Sequence, residues 1–302
     1  MTQEESIQQI HEKVASMAKF IDLERFIQGE KNSLDQIRSY FRINAWAYRH
    51  YHSQDGFMHF RISPSGHLEE KDVYHHPDSI SEYIKEGDLV MELGFGQGAN
   101  ICYLANKHPK ARFYGLDLST LKRKDVPQNV TTFQMDYSDL SRFEDDSVDV
   151  IYAIETIVHN TDKEKIYNEV RRVLKPSGVV VIYDYALYAD FNTYDPVLQK
   201  AITLISKGGA AAMIESLEQL NSHYSRCGLQ LVENIDYTEE VKPDLKRLEQ
   251  KAVKVMSRPK LAKVLFKTFP DQFVSNIILG YLGYDSSNAG ICSYQKWVLR
   301  KG

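Results

Sequence analysis

Residues 88–119 read DLVMELGFGQGANICYLANKHPKARFYGLDLS, and this stretch decides the fold. The apolar run Leu89, Val90, Met91 and Leu93 predicts a buried strand. It breaks at Gly94-Phe95-Gly96-Gln97-Gly98, after which Ile101, Leu104 and Ala105 share one face of a helix. A second strand, Arg112 to Leu118, delivers Asp117 at its end. A glycine-rich turn from strand to helix lets backbone N–H groups approach a bound anion closely. An acid about twenty residues further on, at the tip of the next strand, can accept from both hydroxyls of a ribose. The stretch predicts a site for a nucleoside-containing molecule.

Toward the C-terminus the alternation continues. Val130–Met135 predicts a strand ending in Asp136-Tyr137, and Ser147–Ile154 one ending in Glu155. Lys163–Leu174 is an amphipathic helix. Lys175-Pro176-Ser177-Gly178 reads as a turn before the apolar strand Val179–Tyr183, which ends in Asp184-Tyr185. Residues 192–228 look helical, Leu229–Tyr237 is another strand, 243–283 are mostly helical, and Gly290–Leu299 is a last strand. Strands alternating with helices give an α/β fold, Rossmann-like and doubly wound. Its sheet is mostly parallel, with N-terminal helices before it and a helical insertion before the last strand. Ligands of such sheets bind beyond the carboxyl ends of the strands. The basic run Lys251, Lys254, Arg258, Lys260, Lys263 and Lys267 is either a solvated face or an attractor of an anionic substrate.

Toward the N-terminus, residues 79–86 form a short helix. Ser33-Leu34-Asp35-Gln36 has capping-box form and starts a longer one. Residues 45–63, AWAYRHYHSQDGFMHFRIS, are dense in rings. His50, His52, His59, His67, His75 and His76 lie close together, but their spacing matches no zinc motif, so no metal site is expected. They line an apolar small-molecule pocket or are plain core and surface residues. Residues 3–28 carry Ile7, Ile10, Val14, Met17 and Ile21 in a narrow helical stripe, with Gly29 as the stop. That helix packs on its own domain or on a partner subunit, and a homo-oligomer built through it is expected.

The 302 residues are 43% hydrophobic and 26% charged, with net charge −4. This balance gives no reason to expect nucleic-acid binding. Cys102, Cys227 and Cys292 stand far apart, as fillers of a reduced core. The polar N-terminus shows no signal peptide, and no apolar run is long enough to span a bilayer, so a cytoplasmic protein is expected.

Gly94-x-Gly96-x-x-Ala99 formally fits the dinucleotide fingerprint G-x-G-x-x-G/A, which keeps a nicotinamide-dependent oxidoreductase open. Three features pull away from it: the ordered E-L-G-F-G-Q-G from Glu92 to Gly98, the second strand-end pair Asp136-Tyr137, and the in-register DDSVDVIYAIE…VRRVLKPSGVVVIYD. This series, over roughly residues 80–190, resembles the class I S-adenosylmethionine-dependent methyltransferases. The resemblance implies that S-adenosylmethionine is the cofactor, with Glu92 and Gly94, Gly96 and Gly98 at its amino-acid end. It also implies Asp117 at the ribose, Leu118 beside the adenine, and Asp136, next to Tyr137, at the adenine amine. YAIETIVHNTDK, residues 152–163, is similar to the Y-A-I-E-x-x-x-H segment of sterol, tocopherol and plastoquinol C-methyltransferases. ETIVH also resembles the D-T-I-L-H segment of phosphoethanolamine N-methyltransferases. Gly56-Phe57-Met58-His59-Phe60 resembles a stretch of the C-methyltransferases that closes over the cofactor.

The implied activity is methyl transfer to a small, largely apolar metabolite of secondary metabolism. Carbon is the preferred acceptor, and oxygen or nitrogen the alternative. Glu155 and His159 would share a helix face and form a carboxylate–imidazole base, or else cap a helix and line a wall. His59 joins them as a catalytic candidate. Tyr48, Tyr51, Tyr185 and Tyr188 are candidate walls for the substrate. The expected organisation is a helical arm and lid over 1–78, a cofactor-binding core over 79–237, a helical substrate cap over 238–289 and a final core strand over 290–302.

Overall fold

The computed structural model describes residues 2–28, 33–51 (the backbone alone over 45–51) and 55–302. In chain order, α1 (Gln3–Ala18), α2 (Leu23–Ile27), α3 (Leu34–Tyr51) and α4 (His75–Ser81) precede the sheet. Strand β1 (Leu89–Leu93), α5 (Ala99–Lys107), β2 (Arg112–Asp117), β3 (Val130–Gln134), β4 (Val148–Ile154), α6 (Lys163–Val173) and β5 (Leu174–Leu187) follow. The chain then runs through α7 (Pro196–Gly208), α8 (Leu217–Arg226) and β6 (Leu229–Asp236). Helices α9 (Thr238–Met256), α10 (Pro259–Thr268) and α11 (Asp271–Asn288) and strand β7 (Cys292–Lys301) complete it.

The sheet has the order β3-β2-β1-β4-β5-β7-β6. Strands β1 to β5 pair in parallel, while β7 runs antiparallel to both β5 and β6. From β1 the chain steps outward to β2 and β3, then returns to lay β4 on the other side of β1. This reversal opens a crevice over the carboxyl ends of β1 and β4. All five residues of β1 are buried, as the apolar run requires of a strand covered on both faces. Ile101, Leu104 and Ala105 of α5 close one face, and Ile166, Tyr167 and Val170 of α6 the other.

Three sequence expectations are corrected. Residues 175–178 do not form a separate turn: they belong to a continuous β5, whose early part pairs Leu174 with Val148 across a register shift. The N-terminal helix does not run through residues 3–28. It stops at Ala18, and Asp22 starts α2 by accepting from the Arg25 amide, a local capping bond that competes with helix continuation. The stripe is not a seam left for a partner. Ile10, Val14, Met17 and Ile21 are buried in one cluster with Ile202 and Ile205 of α7 and Ile278 and Leu282 of α11. Lys13 reinforces this contact by pairing with Glu249 and Asp285, each at 2.6 Å. The seam is covered within the chain, so it gives no reason for a second subunit.

The capping box at α3 is present, with Ser33 and Gln36 each accepting from the other's amide. The insertion ahead of β7 is a three-helix layer, and its α9 and α11 stand over the carboxyl ends of the strands.

Candidate active site

The Gly94–Gly98 loop turns off β1 with φ of +77° at Gly94, +53° at Gly96 and +76° at Gly98. These left-handed conformations suit glycine, and at two positions space demands it as well. A Cβ on Gly94 would stand 2.4 Å from Thr156 Cγ2, and one on Gly98 2.5 Å from Leu121 Cδ1. Asp117 leaves β2 beside this loop. Its carboxylate accepts from the Gly96 amide at 2.9 Å and the Ser119 amide at 2.8 Å. Burial raises its pKa, and those two amides and the charge of Arg38 partly offset the rise. Arg38 is carried by α3 and was not singled out from the sequence; its arrival here depends on how α3 folds back over the sheet.

One continuous cavity of about 1410 Å³ begins at this loop. Gly94, Gly96, Asp117, Leu118, Asp136 and Tyr137 line it. The Asp136 carboxylate also accepts from the Ser138 amide and hydroxyl, at 2.9 and 2.8 Å. The Tyr137 hydroxyl is committed to the Thr156 carbonyl at 3.0 Å, which makes this tyrosine a wall with no free donor. Gly98 lies behind the wall as the N-cap of α5. Glu92 also stays behind it. Its side chain is buried, its Oε2 has no hydrogen-bond partner, and burial pushes its pKa up to about 8.

The other half of the cavity centres on Glu155. Its φ of +50° lifts it off the end of β4, and its amide donates to the Tyr183 carbonyl at 2.7 Å. Its carboxylate accepts three bonds: from the Phe60 amide at 2.7 Å, the Tyr185 hydroxyl at 2.5 Å and the Tyr294 hydroxyl at 3.0 Å. Burial pushes its pKa up to about 8 against the lowering effect of these donors. Tyr294 faces Tyr185 across the antiparallel β5–β7 ladder, which brings both phenols over one carboxylate. The Tyr294 hydroxyl also meets His76 Nε2 at 2.8 Å. Tyr294 was not singled out from the sequence, and His76 only as one of a cluster of imidazoles. The ladder register would have shown Tyr294, but no local motif in the last strand does.

The carboxylate–imidazole pair expected from Glu155 and His159 is not formed. The segment after Glu155 is a short 3₁₀ turn, Ile157–His159, and not an α-helix, so the helical spacing that would pair the two side chains is lost. The His159 ring still lines the cavity. Its Nδ1 lies 3.1 Å from the Ala210 carbonyl, and burial lowers its pKa. His59 reaches the wall too, with Nδ1 at 3.0 Å from the Phe60 carbonyl and Nε2 at 3.2 Å from Asn100 Oδ1, and it packs on His76. It reaches Glu155 indirectly, through the backbone of Phe60 and through its packing on His76, which meets the Tyr294 hydroxyl. Tyr188 does not line the cavity. It lies just past β5, 40% exposed, and its hydroxyl donates to Asp236 at 2.6 Å. The side chains of Tyr48, Tyr51, His50 and His52 lie outside the described residues. Among the described residues, no group of three or more His, Cys, Asp or Glu could hold a metal.

The remaining wall is apolar. It includes Val241, Leu245 and Leu248 of α9 and Ile277 and Gly280 of α11. The cavity thus joins a polar, glycine-edged half to an apolar half, with the half-buried Glu155 carboxylate where they meet. A family model described as a methyltransferase domain matches residues 91–182. The structure is similar to that of a putative sarcosine dimethylglycine methyltransferase from Galdieria sulphuraria, with a TM-score of 0.68 at 17% identity, over 87% of this chain and 98% of that one.

This chain has the class I methyltransferase fold. It resembles the sterol C-methyltransferases in sequence: the sterol 24-C-methyltransferase of Pneumocystis carinii is 24% identical over 239 residues, 71% of this chain and 61% of that protein. The methyltransferase-fold chain thus spans about three fifths of that relative's length. A second structural neighbour is the geranyl diphosphate C-methyltransferase from Streptomyces coelicolor, solved with Mg2+, geranyl diphosphate and S-adenosyl-L-homocysteine. Its TM-score is 0.62 at 14% identity, over 87% of this chain and 98% of that one.

Proposed function

We propose that this chain is an S-adenosylmethionine-dependent C-methyltransferase whose acceptor is the alkene of a small, largely apolar molecule. The observation that carries the proposal is Glu155. It is a half-buried carboxylate with three donors, set between a glycine loop with a strand-end acid and an apolar chamber.

The residues present fit the cofactor. Gly94 and Gly96 let a ligand approach the loop backbone closely, the Asp117 carboxylate suits a vicinal diol, and Asp136 suits an amine. Glu92 lies behind the loop with an unpartnered Oε2, a polar group left over at the amino-acid end of the site. When bound, S-adenosylmethionine supplies an electrophilic methyl group. The chain's own task is mainly alignment and exclusion of water, and positioning of this kind can supply roughly 7–11 kcal/mol.

Methylation of an alkene carbon leaves a cation on the substrate, which must lose a proton. Glu155 is placed for both demands. Its charge and the faces of Tyr185, Tyr294 and Phe60 stabilise a cation. Its carboxylate then takes the proton, and the electrons of the broken C–H bond form the new alkene. Tyr185 and Tyr294 hold that carboxylate in place and offset part of the cost of its burial. A pKa near the working pH suits a general base. His159, with Nδ1 at the Ala210 carbonyl, serves as wall and not as base.

Calorimetric titration with S-adenosylhomocysteine and with NAD tests the cofactor assignment. One-to-one binding of the first and none of the second is expected. Binding of NAD alone would return the chain to the oxidoreductase reading.

A further inference from the structure

The surface of the cap helices carries a second feature. Between Glu249 and Asp271 the chain has six cations and no acid, although its net charge is −4. Five of the cations, Lys254, Arg258, Lys260, Lys263 and Lys267, are exposed and form no ion pair among the described residues. Large apolar side chains stand exposed among them: Leu261 at 40%, Val264 at 59% and Phe269 at 44%. A globular surface rarely gathers so much apolar area inside one sign of charge.

Helix α10 explains the arrangement. Ala262 and Phe266 are buried, with the Phe266 ring edge-on to Phe26 of α2 at 5.7 Å. At 3.6 residues per turn, Leu261 and Val264 then fall on the outward side, and Lys260, Lys263 and Lys267 form the stripe beside them. Leu265 lies between these faces and lines the cavity. Phe273, stacked on exposed Phe269, lines it as well. The apolar wall of the cavity therefore reaches the helices that carry the outer patch.

We propose that α10 and the Phe269 corner dock on an anionic lipid bilayer, from which the apolar substrate enters the cavity. The charge favours a surface of negative headgroups. Leu261, Val264 and Phe269 can sink into the boundary between headgroups and acyl chains. Among the described residues no helix is long and apolar enough to cross a membrane, so contact through these helices is peripheral. The purpose assigned to docking rests on the apolar-substrate reading, but the docking itself does not.

Vesicle flotation tests it, using phosphatidylcholine vesicles with and without phosphatidylglycerol, at low and high salt. The full-length protein should float with the anionic vesicles at low salt and be released by high salt. The variant K260E/K263E/K267E should lose at least about tenfold in partitioning. The pair L261S/V264S should weaken it independently, because apolar insertion is the second contribution. Circular dichroism and affinity for S-adenosylhomocysteine, both equal to wild type, show that the variants are folded. Failure of the wild type to float, equal flotation on neutral vesicles, or wild-type flotation of the lysine variant overturns the proposal. An acidic protein partner would give the first of these results. Flotation without S-adenosylhomocysteine binding would leave docking standing and remove the methyltransferase reading.

Discussion

Glu155→Gln separates chemistry from binding at the centre of the cavity. Glutamine keeps the length of the side chain and one oxygen that can accept from the Phe60 amide. It cannot take a proton, and its NH2 replaces the oxygen that accepts from Tyr185, so the Tyr185 hydroxyl must turn while Tyr294 keeps its acceptor. If proton removal depends on this carboxylate, turnover should fall by about 10²–10⁴-fold. Affinity for S-adenosylhomocysteine should stay near wild type, because Asp117 and the glycine loop are untouched. The pH dependence gives an independent reading. Burial holds the folded pKa at about 8, above the ordinary carboxylate value of 4.5. Protonated Glu155 is thus favoured in the fold. Its contribution to stability is fully present below the unfolded pKa and is lost as pH rises through about 8. At about 1.4 kcal/mol per pH unit, the difference in stability between wild type and E155Q should change by a few kcal/mol across that window, in favour of the variant at alkaline pH. Urea denaturation at several pH values measures this. Wild-type turnover should rise with pH toward about 8 and level off, and Tyr185→Phe, which removes a donor to the carboxylate, should move that rise to higher pH. Glu155→Gln turnover within about threefold of wild type, well short of the loss of a general base, would refute the assignment. So would a loss of cofactor affinity equal to the loss of rate.

Three further outcomes follow from the same geometry. Asp117→Ala should weaken S-adenosylmethionine binding by more than about tenfold, since charged hydrogen bonds contribute ~1.5–3 kcal/mol each, and calorimetry on the folded variant checks it. His159→Ala should change turnover by less than about tenfold, below the range for losing a general base, and steady-state kinetics set against those of E155Q decide between wall and base. Met17→Ala should cost ~2–5 kcal/mol of stability in urea denaturation without altering the oligomeric state seen by light scattering, because Met17 is wholly buried within its own chain.

The architecture was legible in residues 88–119 because two local signals agree there. An apolar run marks a strand buried on both faces, and glycines mark the turn above it. The strand-end acids were legible for the same reason: the alternation of strand and helix sends Asp117, Asp136 and Glu155 to one edge of the sheet. What the sequence hid was long-range. The Glu155 carboxylate is held by Phe60, Tyr185 and Tyr294, and Phe60 and Tyr294 are far from it in the chain. Only the β5–β7 register and the return of the 55–63 segment bring them in. The expected Glu155–His159 pair assumed α-helical spacing, whereas the left-handed backbone at Glu155 and the 3₁₀ turn break it. The N-terminal stripe was read correctly as apolar, but its width did not say what covers it. Helices α7 and α11, both far along the chain, cover it.

Carbon methylation by this chain is tested by following a labelled methyl group. The protein is incubated with S-adenosylmethionine carrying a carbon-13 methyl and with an apolar extract of its source cells, and the extractable products are read by NMR. Label is expected in an apolar product at the chemical shift of a methyl on carbon, and is expected to be absent with E155Q. Label on oxygen or nitrogen, or undiminished carbon labelling by E155Q, would contradict this expectation.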